Sequence, residues 1–239
     1  MSESYAEFLA RRREEILGVV ADAAARAGRS MDELLVEAVS KTVGPEQVAA
    51  AWQAGWRTFA ENRPQELVRK TSAAAEVEGM ESVRFDMIGN LQRNKINQVL
   101  GRAALVHSIS SEHLCQGVAS RAEARGFVQP VLLEVNVSGE GTKSGFAPDE
   151  VREALPRMLE LGGVQIRGLM TMAPAGDPDA ARRTFCGLRE LRDELERACG
   201  VELPELSCGM SDDFAIAVEE GSTILRLGRV VFDPEHAVN

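Results

Sequence analysis

The sequence predicts a single (β/α)8 barrel, the TIM-barrel fold, with an extra helix at its N-terminus. Short β-branched or apolar runs alternate with longer amphipathic segments along the chain, and eight such runs can be counted. The length of 239 residues is close to the roughly 250 that are typical of this barrel. No linker rich in Ser, Gly or Pro and no low-complexity stretch interrupts the alternation. Residues 1–239 are therefore expected to form one domain.

The predicted elements follow each other in a regular order. A long amphipathic helix at about 3–26 comes first and ends near Gly28. The eight predicted strands are 35–40, 58–60, 84–88, 104–108, 131–137, 165–170, 205–208 and 223–227. The helices predicted between them, several of which begin with Pro, Ser or Asp, are 45–54, 64–77, 92–100, 111–125, 148–161, 179–199 and 212–220. This alternation implies right-handed crossovers and a parallel sheet, and eight such units close into a barrel.

An open, doubly wound sheet is the alternative fold. Its nucleotide-binding version needs a glycine-rich phosphate turn after the first strand. The residues that follow the first strand here are Ser40, Lys41 and Thr42, and none of them is a glycine. The barrel is therefore the favoured prediction.

The composition is that of a globular protein with an acidic surface. The chain has 27 Lys and Arg against 37 Asp and Glu, a net charge of −10. Nucleic acids and anionic membranes are not expected as partners, because both need clustered positive charge, although a local site for one small phosphate remains compatible with this balance. No apolar run approaches about 18 residues, and the N-terminal charges lie inside a helical pattern, so neither a membrane span nor a signal peptide is predicted. We expect a cytoplasmic protein.

The cysteines and histidines show no metal-binding pattern. They are scattered, without a CxxC pair, at Cys115, Cys186, Cys199, Cys208, His107, His113 and His236. Structural metal sites need close ligand spacing. We expect reduced thiols, which are usual in the cytoplasm, and no bound metal.

Lys41 lies at the end of the first predicted strand, on the face where barrels carry their functional residues. Two interpretations are open. Burial lowers the pKa of a lysine, and a neutral amine attacks an aldehyde to form a Schiff base. A lysine at a strand end also commonly extends its amine into solvent.

The ends of strands seven and eight carry residues that suit a phosphate group. Gly209, Met210 and Ser211 follow strand seven, and Arg226 and Gly228 end strand eight. Barrels frequently bind phosphate in these two loops, and an arginine fork suits a dianion. Ordinary turns use the same residue types. Together with the lysine after strand one, however, the combination matches a cofactor that has an aldehyde at one end and a phosphate at the other.

Eight segments resemble the pyridoxal phosphate homeostasis proteins. In chain order they are AVSKT at 38–42, FAENRPQE at 59–66, IGNLQRNK at 88–95, HSIS at 107–110, EVNVSGEGTKSG at 134–145, GLMTMAP at 168–174, LSCGMSDDF at 206–214 and GSTILRLG at 221–228. The order and number of these matches make the resemblance specific. It implies a fold similar to the barrel domain of alanine racemase.

The resemblance also implies roles for single residues. Lys41 would hold pyridoxal 5′-phosphate as an internal aldimine, and Ser211, Arg226 and Gly228 would hold its phosphate. Asn62 would lie in the pocket. We add Gly209 and Met210 to the predicted binding residues, because they belong to the same loop as Ser211. Lys143 matches a lysine of the family and would help the cofactor to enter or leave, unless it is a solvated loop residue.

Some positions depart from the pattern of the family. They are Arg63 where a tyrosine is usual, Phe85, Asp86 and Met87 where Trp, His and Phe are usual, Asn90 for histidine, Ser110 for aspartate and Asp233 for glycine. None of these changes removes the lysine or the phosphate-binding residues. They leave open which polar groups face the cofactor ring.

Two classes of function remain. A racemase-like enzyme needs a second base opposite the lysine, and in the resembled racemases this is a tyrosine supplied with the help of a second domain. The single tyrosine here, Tyr5, lies in the N-terminal helix. The eleven residues after Gly228 are too few for a second domain. His107, at the end of strand four, would serve only if it lined the pocket. The favoured hypothesis is a carrier that binds the cofactor and supplies it to apoenzymes, with no catalytic residue assigned. We expect a monomer.

Overall fold

The computed structural model describes residues 3–141 and 144–238. In this part of the chain eight parallel strands form a closed barrel in which each strand pairs with its neighbours in sequence and β1 pairs with β8. The strands are β1 Leu35–Val39, β2 Thr58–Glu61, β3 Arg84–Met87, β4 Val106–Ile109, β5 Gln129–Glu134, β6 Val164–Met170, β7 Glu205–Ser207 and β8 Ile224–Leu227. The predicted fold class is confirmed.

Helices follow the strands around the outside of the barrel. They are α1 Tyr5–Arg26, α2 Pro45–Gln53, α3 Pro64–Ala74, α4 Ile96–Val99, α5 Glu112–Glu123, α6 Pro148–Leu159, α7 Pro178–Cys199, α8 Phe214–Glu219 and α9 Arg229–Phe232. Four of them, α2, α3, α6 and α7, begin with Pro in the first turn, a residue type that the sequence suggested for helix starts. The helix predicted at 92–100 is instead a 3₁₀ turn, Arg93–Lys95, followed by the short α4.

Strand β5 ends earlier than predicted. The backbone N–H of Asn136 donates to the carbonyl of Phe146 at 2.9 Å, and that of Phe146 donates to Glu134 at 2.8 Å. The N–H of Val135 still donates to the Met170 carbonyl of β6 at 2.8 Å, but from Asn136 on the backbone pairs with its own following loop instead of extending the strand to residue 137. The short α9 was not predicted, because its four residues carry no periodic pattern.

The N-terminal helix is part of the barrel's outer layer. Its apolar face buries Leu9, Ile16 and Val20. Arg12 is also buried, and its Nη1 donates to the carbonyls of Val230 at 2.8 Å and His236 at 2.6 Å. Helix α1 thereby holds α9 and the C-terminal segment against the barrel.

The barrel interior contains an unusual number of polar side chains. Such interiors are usually filled by layers of Val, Ile and Leu. Here Glu37, Asp86, His107, Ser207 and Arg226, from five different strands, are all at most 4% exposed. No helix in residues 3–141 and 144–238 is both long and apolar enough to cross a membrane.

Candidate functional site

A cavity of about 390 Å³ opens where the strands end. The predicted residues that line it are Lys41, Asn62, Met210, Ser211, Arg226 and Gly228. They come from the ends of β1, β2, β7 and β8, so closure of the barrel is what brings them together. Its volume lies in the range of small-molecule sites.

Lys41 lies at the rim of this cavity and is exposed. Strand β1 ends at Val39, Ser40 is its last buried neighbour, and Lys41 occupies the following turn. Of the two interpretations that the sequence left open, burial of the Lys41 side chain is not what the structure shows. The second interpretation, an amine that extends into solvent, describes its position.

A buried ion pair holds the backbone just before Lys41. Nζ of Lys70 on α3 contacts the carboxylate of Glu61, the last residue of β2, and donates to the carbonyl of Ser40 at 2.6 Å. The hydroxyl of Ser40 donates to the same carboxylate at 2.6 Å. Ser40 precedes Lys41 and Glu61 precedes Asn62, so this ion pair ties together the backbone that carries two of the cavity residues.

Lys70 was not among the residues predicted from the sequence. The sequence pattern could have indicated that Lys70 is buried. It lies at helical spacing on the face of α3 that the structure buries, with Pro64, Leu67 and Ala74. A lysine in an apolar stripe requires a buried partner.

Asn62 presents an unsatisfied atom. Its Oδ1 is buried and receives no donor from the part of the chain that the structure describes. Its backbone is held by Gly89, where a Cβ atom would lie 2.1 Å from the Asn62 carbonyl oxygen. The hydroxyl of Ser108 donates to the Gly89 carbonyl at 2.6 Å and fixes this approach. A buried acceptor in a cavity wall is suited to a ligand that donates a hydrogen bond.

The loops after β7 and β8 meet at Ser211. Its Oγ accepts a hydrogen bond from the backbone N–H of Val230 at 3.2 Å, which leaves the hydroxyl proton free to donate. Gly209 does not line the cavity. It adopts φ +93°, and a Cβ there would lie 2.5 Å from the Cβ of Ala217. Gly209 thus shapes the loop that presents Met210 and Ser211.

Arg226 supplies positive charge at the floor of the cavity. It is 4% exposed, and its guanidinium donates to Ser207 Oγ at 2.5 Å and to the Thr171 carbonyl at 3.0 Å. Burial lowers the pKa of Arg226, but arginine stays protonated near neutral pH. Both partners are neutral, and no carboxylate of residues 3–141 and 144–238 forms a salt bridge with it. Its charge is therefore available to an anionic ligand.

His107 and Tyr5, the two residues considered from the sequence for a second base, do not line the cavity. His107 is fully buried beneath it, and burial lowers the pKa of its imidazole. Tyr5 donates to the carbonyl of Phe232 at 3.4 Å on the outer layer. Among the described lining residues there is no His, Tyr or Cys. Lys143 lies outside the described residues.

The fold and cavity define a class of protein: a (β/α)8 barrel whose pocket combines an exposed lysine amine, a serine hydroxyl and a buried arginine. The model of the alanine racemase N-terminal domain family matches residues 23–234. A pyridoxal phosphate homeostasis protein of Aquifex aeolicus is 40% identical over 222 residues, covering 92% of this chain and 96% of the relative. One from Deinococcus radiodurans is 37% identical and covers 91% of this chain and 97% of its own.

Two solved structures are similar to this chain over most of its length. PipY of Synechococcus elongatus with PLP bound has a TM-score of 0.78 at 31% identity and covers 89% of this chain and 99% of its own. Alanine racemase of Clostridium difficile, at 14% identity and a TM-score of 0.70, shares the fold and covers 94% of this chain and 57% of its own. The chain belongs to the family of pyridoxal phosphate homeostasis proteins.

We predict that Lys70→Met lowers the free energy of unfolding by about 3–5 kcal/mol, because it leaves the Glu61 carboxylate buried without a counter-charge. Urea denaturation measures this change. Arg69→Met is the matched control: Arg69 is 55% exposed and pairs with Glu66 on the surface, so its loss costs at most about 1 kcal/mol.

Making Lys70→Met in a Glu61→Gln variant tests whether the loss of stability comes from the unpaired carboxylate. With the carboxylate removed, Lys70→Met is expected to cost less than it does alone. Equal costs for Lys70→Met and Arg69→Met would contradict the assignment.

Proposed function

We propose that this protein binds pyridoxal 5′-phosphate covalently, as an aldimine of Nζ of Lys41, and supplies it to apoenzymes. The observation that carries the proposal is the convergence of Lys41, Ser211 and Arg226 on one cavity. An aldehyde needs an accessible amine, and Lys41 is exposed at the rim. A phosphate dianion needs donors and positive charge, which Ser211 and Arg226 offer.

The residues present fit the shape and polarity of this cofactor. Ser211, Met210 and Gly228 would hold the phosphate where the β7 and β8 loops meet. Arg226 lies two residues before Gly228 on β8, about 6–7 Å deeper in the barrel. Its positive charge would stabilise bound cofactor from below, and the orphaned Oδ1 of Asn62 would accept a donor from it. When bound, pyridoxal phosphate can act as an electron sink for amino-acid chemistry.

Carriage of the cofactor is favoured over turnover. Racemisation needs proton transfer on both faces of the substrate carbon, and a positioned acid or base typically contributes about 10²–10⁴-fold. The described lining residues include no His, Tyr or Cys. Of the lining carboxylates, Asp177 caps α7 and Asp212 pairs with Arg229. Asp213 accepts from the backbone N–H of Met210, so each of the three already has a structural partner. The relatives that are 37–40% identical are named for homeostasis of this cofactor. We further propose that the protein acts as a cytoplasmic monomer whose macromolecular partners are apoenzymes and not nucleic acids or membranes.

Borohydride reduction of the protein mixed with pyridoxal 5′-phosphate is expected to attach the cofactor to Lys41, as read by peptide mapping. Lys41→Ala should lose the visible absorption of the bound cofactor and keep its unfolding midpoint, because the side chain is exposed. Lys95→Ala is the matched control and should retain the absorption. Attachment at Lys95 or Lys143 would contradict the proposal.

Transfer to a second protein tests the delivery function. When the loaded protein is mixed with an apoenzyme dependent on pyridoxal 5′-phosphate, we expect the recipient's activity to appear as the carrier's visible absorption declines. Amino-acid turnover by the carrier itself should stay below the ordinary enzyme range of about 1–10³ s⁻¹. A kcat within that range, abolished by His107→Ala, would favour the enzyme hypothesis instead.

A further inference from the structure

A row of buried polar side chains below the cavity has no role in the function proposed above. Glu37 on β1, Asp86 on β3 and His107 on β4 are each 0% exposed. His107 Nε2 lies 3.3 Å from Asp86 Oδ2 and 3.8 Å from Glu37 Oε1. His107 Nδ1 lies 2.9 Å from Ser207 Oγ, which also receives Nη1 of Arg226. The row therefore runs from Glu37 to the guanidinium that faces the cavity.

The protons of this row can be assigned from donor chemistry. A guanidinium only donates, so Ser207 Oγ accepts from Arg226 and its own proton is free to donate to Nδ1 of His107. The imidazole proton is then on Nε2, directed at Asp86. Asp86 also accepts from Arg84, whose Nε and Nη2 lie 3.0 Å and 2.8 Å from its two oxygens. Asp86 is thus the ionised member, balanced by Arg84.

Glu37 is the group that this assignment leaves unsatisfied. Neither of its carboxyl oxygens receives a hydrogen bond from the part of the chain that the structure describes, and both are fully buried. An ionised carboxylate without a donor is too costly to bury, whereas a neutral carboxyl group can donate its own proton. Burial and the neighbouring Asp86 carboxylate both raise the pKa of Glu37.

We propose that Glu37 is a neutral carboxylic acid that donates to Asp86, and that it is a positioning residue for Arg226, acting through Asp86, His107 and Ser207. The charged and titratable groups that face Glu37 are Asp86 and Arg84 from β3, His107 from β4 and Arg226 from β8. With Glu37 neutral, Asp86 balances Arg84, and the charge of Arg226 stays available to a ligand. This last consequence rests on the proposed function, but the protonation of Glu37 does not.

A metal ion is the competing explanation for the cluster. Glu37, Asp86 and His107 offer ligand atoms within 4.8 Å of one another. However, both oxygens of Asp86 are engaged by Arg84, and an ion would add its charge next to two guanidinium groups. These contacts favour a hydrogen bond from the neutral Glu37 carboxyl group to Asp86 over a bound metal ion.

The first test is infrared spectroscopy of the protein without ligand. The difference spectrum of wild type minus Glu37→Gln at neutral pH should show the C=O stretch of a protonated carboxylic acid. Glu15→Gln, which changes a 40% exposed glutamate on α1, is the matched control and should show no such band. Absence of the band in the Glu37 difference spectrum, or a stoichiometric divalent metal in the purified protein, would overturn the proposal.

The second test is the pH dependence of unfolding in urea. The folded state keeps a proton on Glu37 that the unfolded state releases above about pH 4.3. The unfolding constant of wild type relative to Glu37→Gln should therefore rise about tenfold per pH unit above that pH, until Glu37 ionises in the folded state. The glutamine keeps a donor to Asp86 and carries no titrating proton. Parallel pH profiles for the two proteins would overturn the proposal.

The third test concerns positioning. Glu37→Leu removes the donor to Asp86 and should weaken binding of pyridoxal 5′-phosphate by about tenfold, whereas Glu37→Gln should restore it to within about threefold of wild type. Equal weakening in both variants, or binding more than tenfold tighter in Glu37→Gln, would refute the positioning role. If wild type itself binds no pyridoxal 5′-phosphate, the proposed function fails while the infrared and urea experiments still decide the state of Glu37.

Discussion

The buried guanidinium of Arg226 is the interaction on which the rest of the site depends. Removing a positive charge from water costs several kcal/mol unless the protein supplies acceptors. This barrel supplies the hydroxyl of Ser207 and the carbonyl of Thr171, both neutral. Both terminal nitrogens thus donate to neutral acceptors, and no carboxylate of the described residues forms a salt bridge with the guanidinium. The folded protein therefore has an uncompensated positive charge at the floor of the cavity before any ligand binds, and this charge favours an anion.

Two further polar systems keep the walls of the cavity in place. The ion pair of Lys70 and Glu61 ties α3 to the ends of β1 and β2, next to Lys41 and Asn62. On the neighbouring wall, where β8 pairs with β1, Arg12 of α1 holds the carbonyls of Val230 and His236, close in sequence to Gly228. The first system connects an outer helix to two strand ends, and the second connects one to the short helix that follows β8. The layer that surrounds the barrel therefore also determines where the binding groups lie.

The sequence was informative about the fold and about the loops of the site, but not about its interior. Period and turn residues located the strands, and parallel strands in a barrel share one functional face, which brought Lys41 and Ser211 together. Whether Lys41 is buried or exposed was left open by the sequence, because a difference of one residue at the strand end decides it. The clustering of Glu37, Asp86 and His107 was not predictable, since which interior side chains meet depends on barrel register and closure.

The comparison of pyridoxal 5′-phosphate with pyridoxal tests the central claim most directly, because the two ligands differ only in the phosphate. Titration calorimetry at fixed pH and salt would give both dissociation constants for wild type and for Arg226→Gln. Charge-assisted hydrogen bonds to the phosphate are worth about 1.5–3 kcal/mol each, so the phosphate ester should bind wild type at least one to two decades more tightly. Arg226→Gln removes the positive charge beneath the phosphate loops and should narrow this difference between the two ligands. Equal binding of the two ligands by wild type would contradict the account.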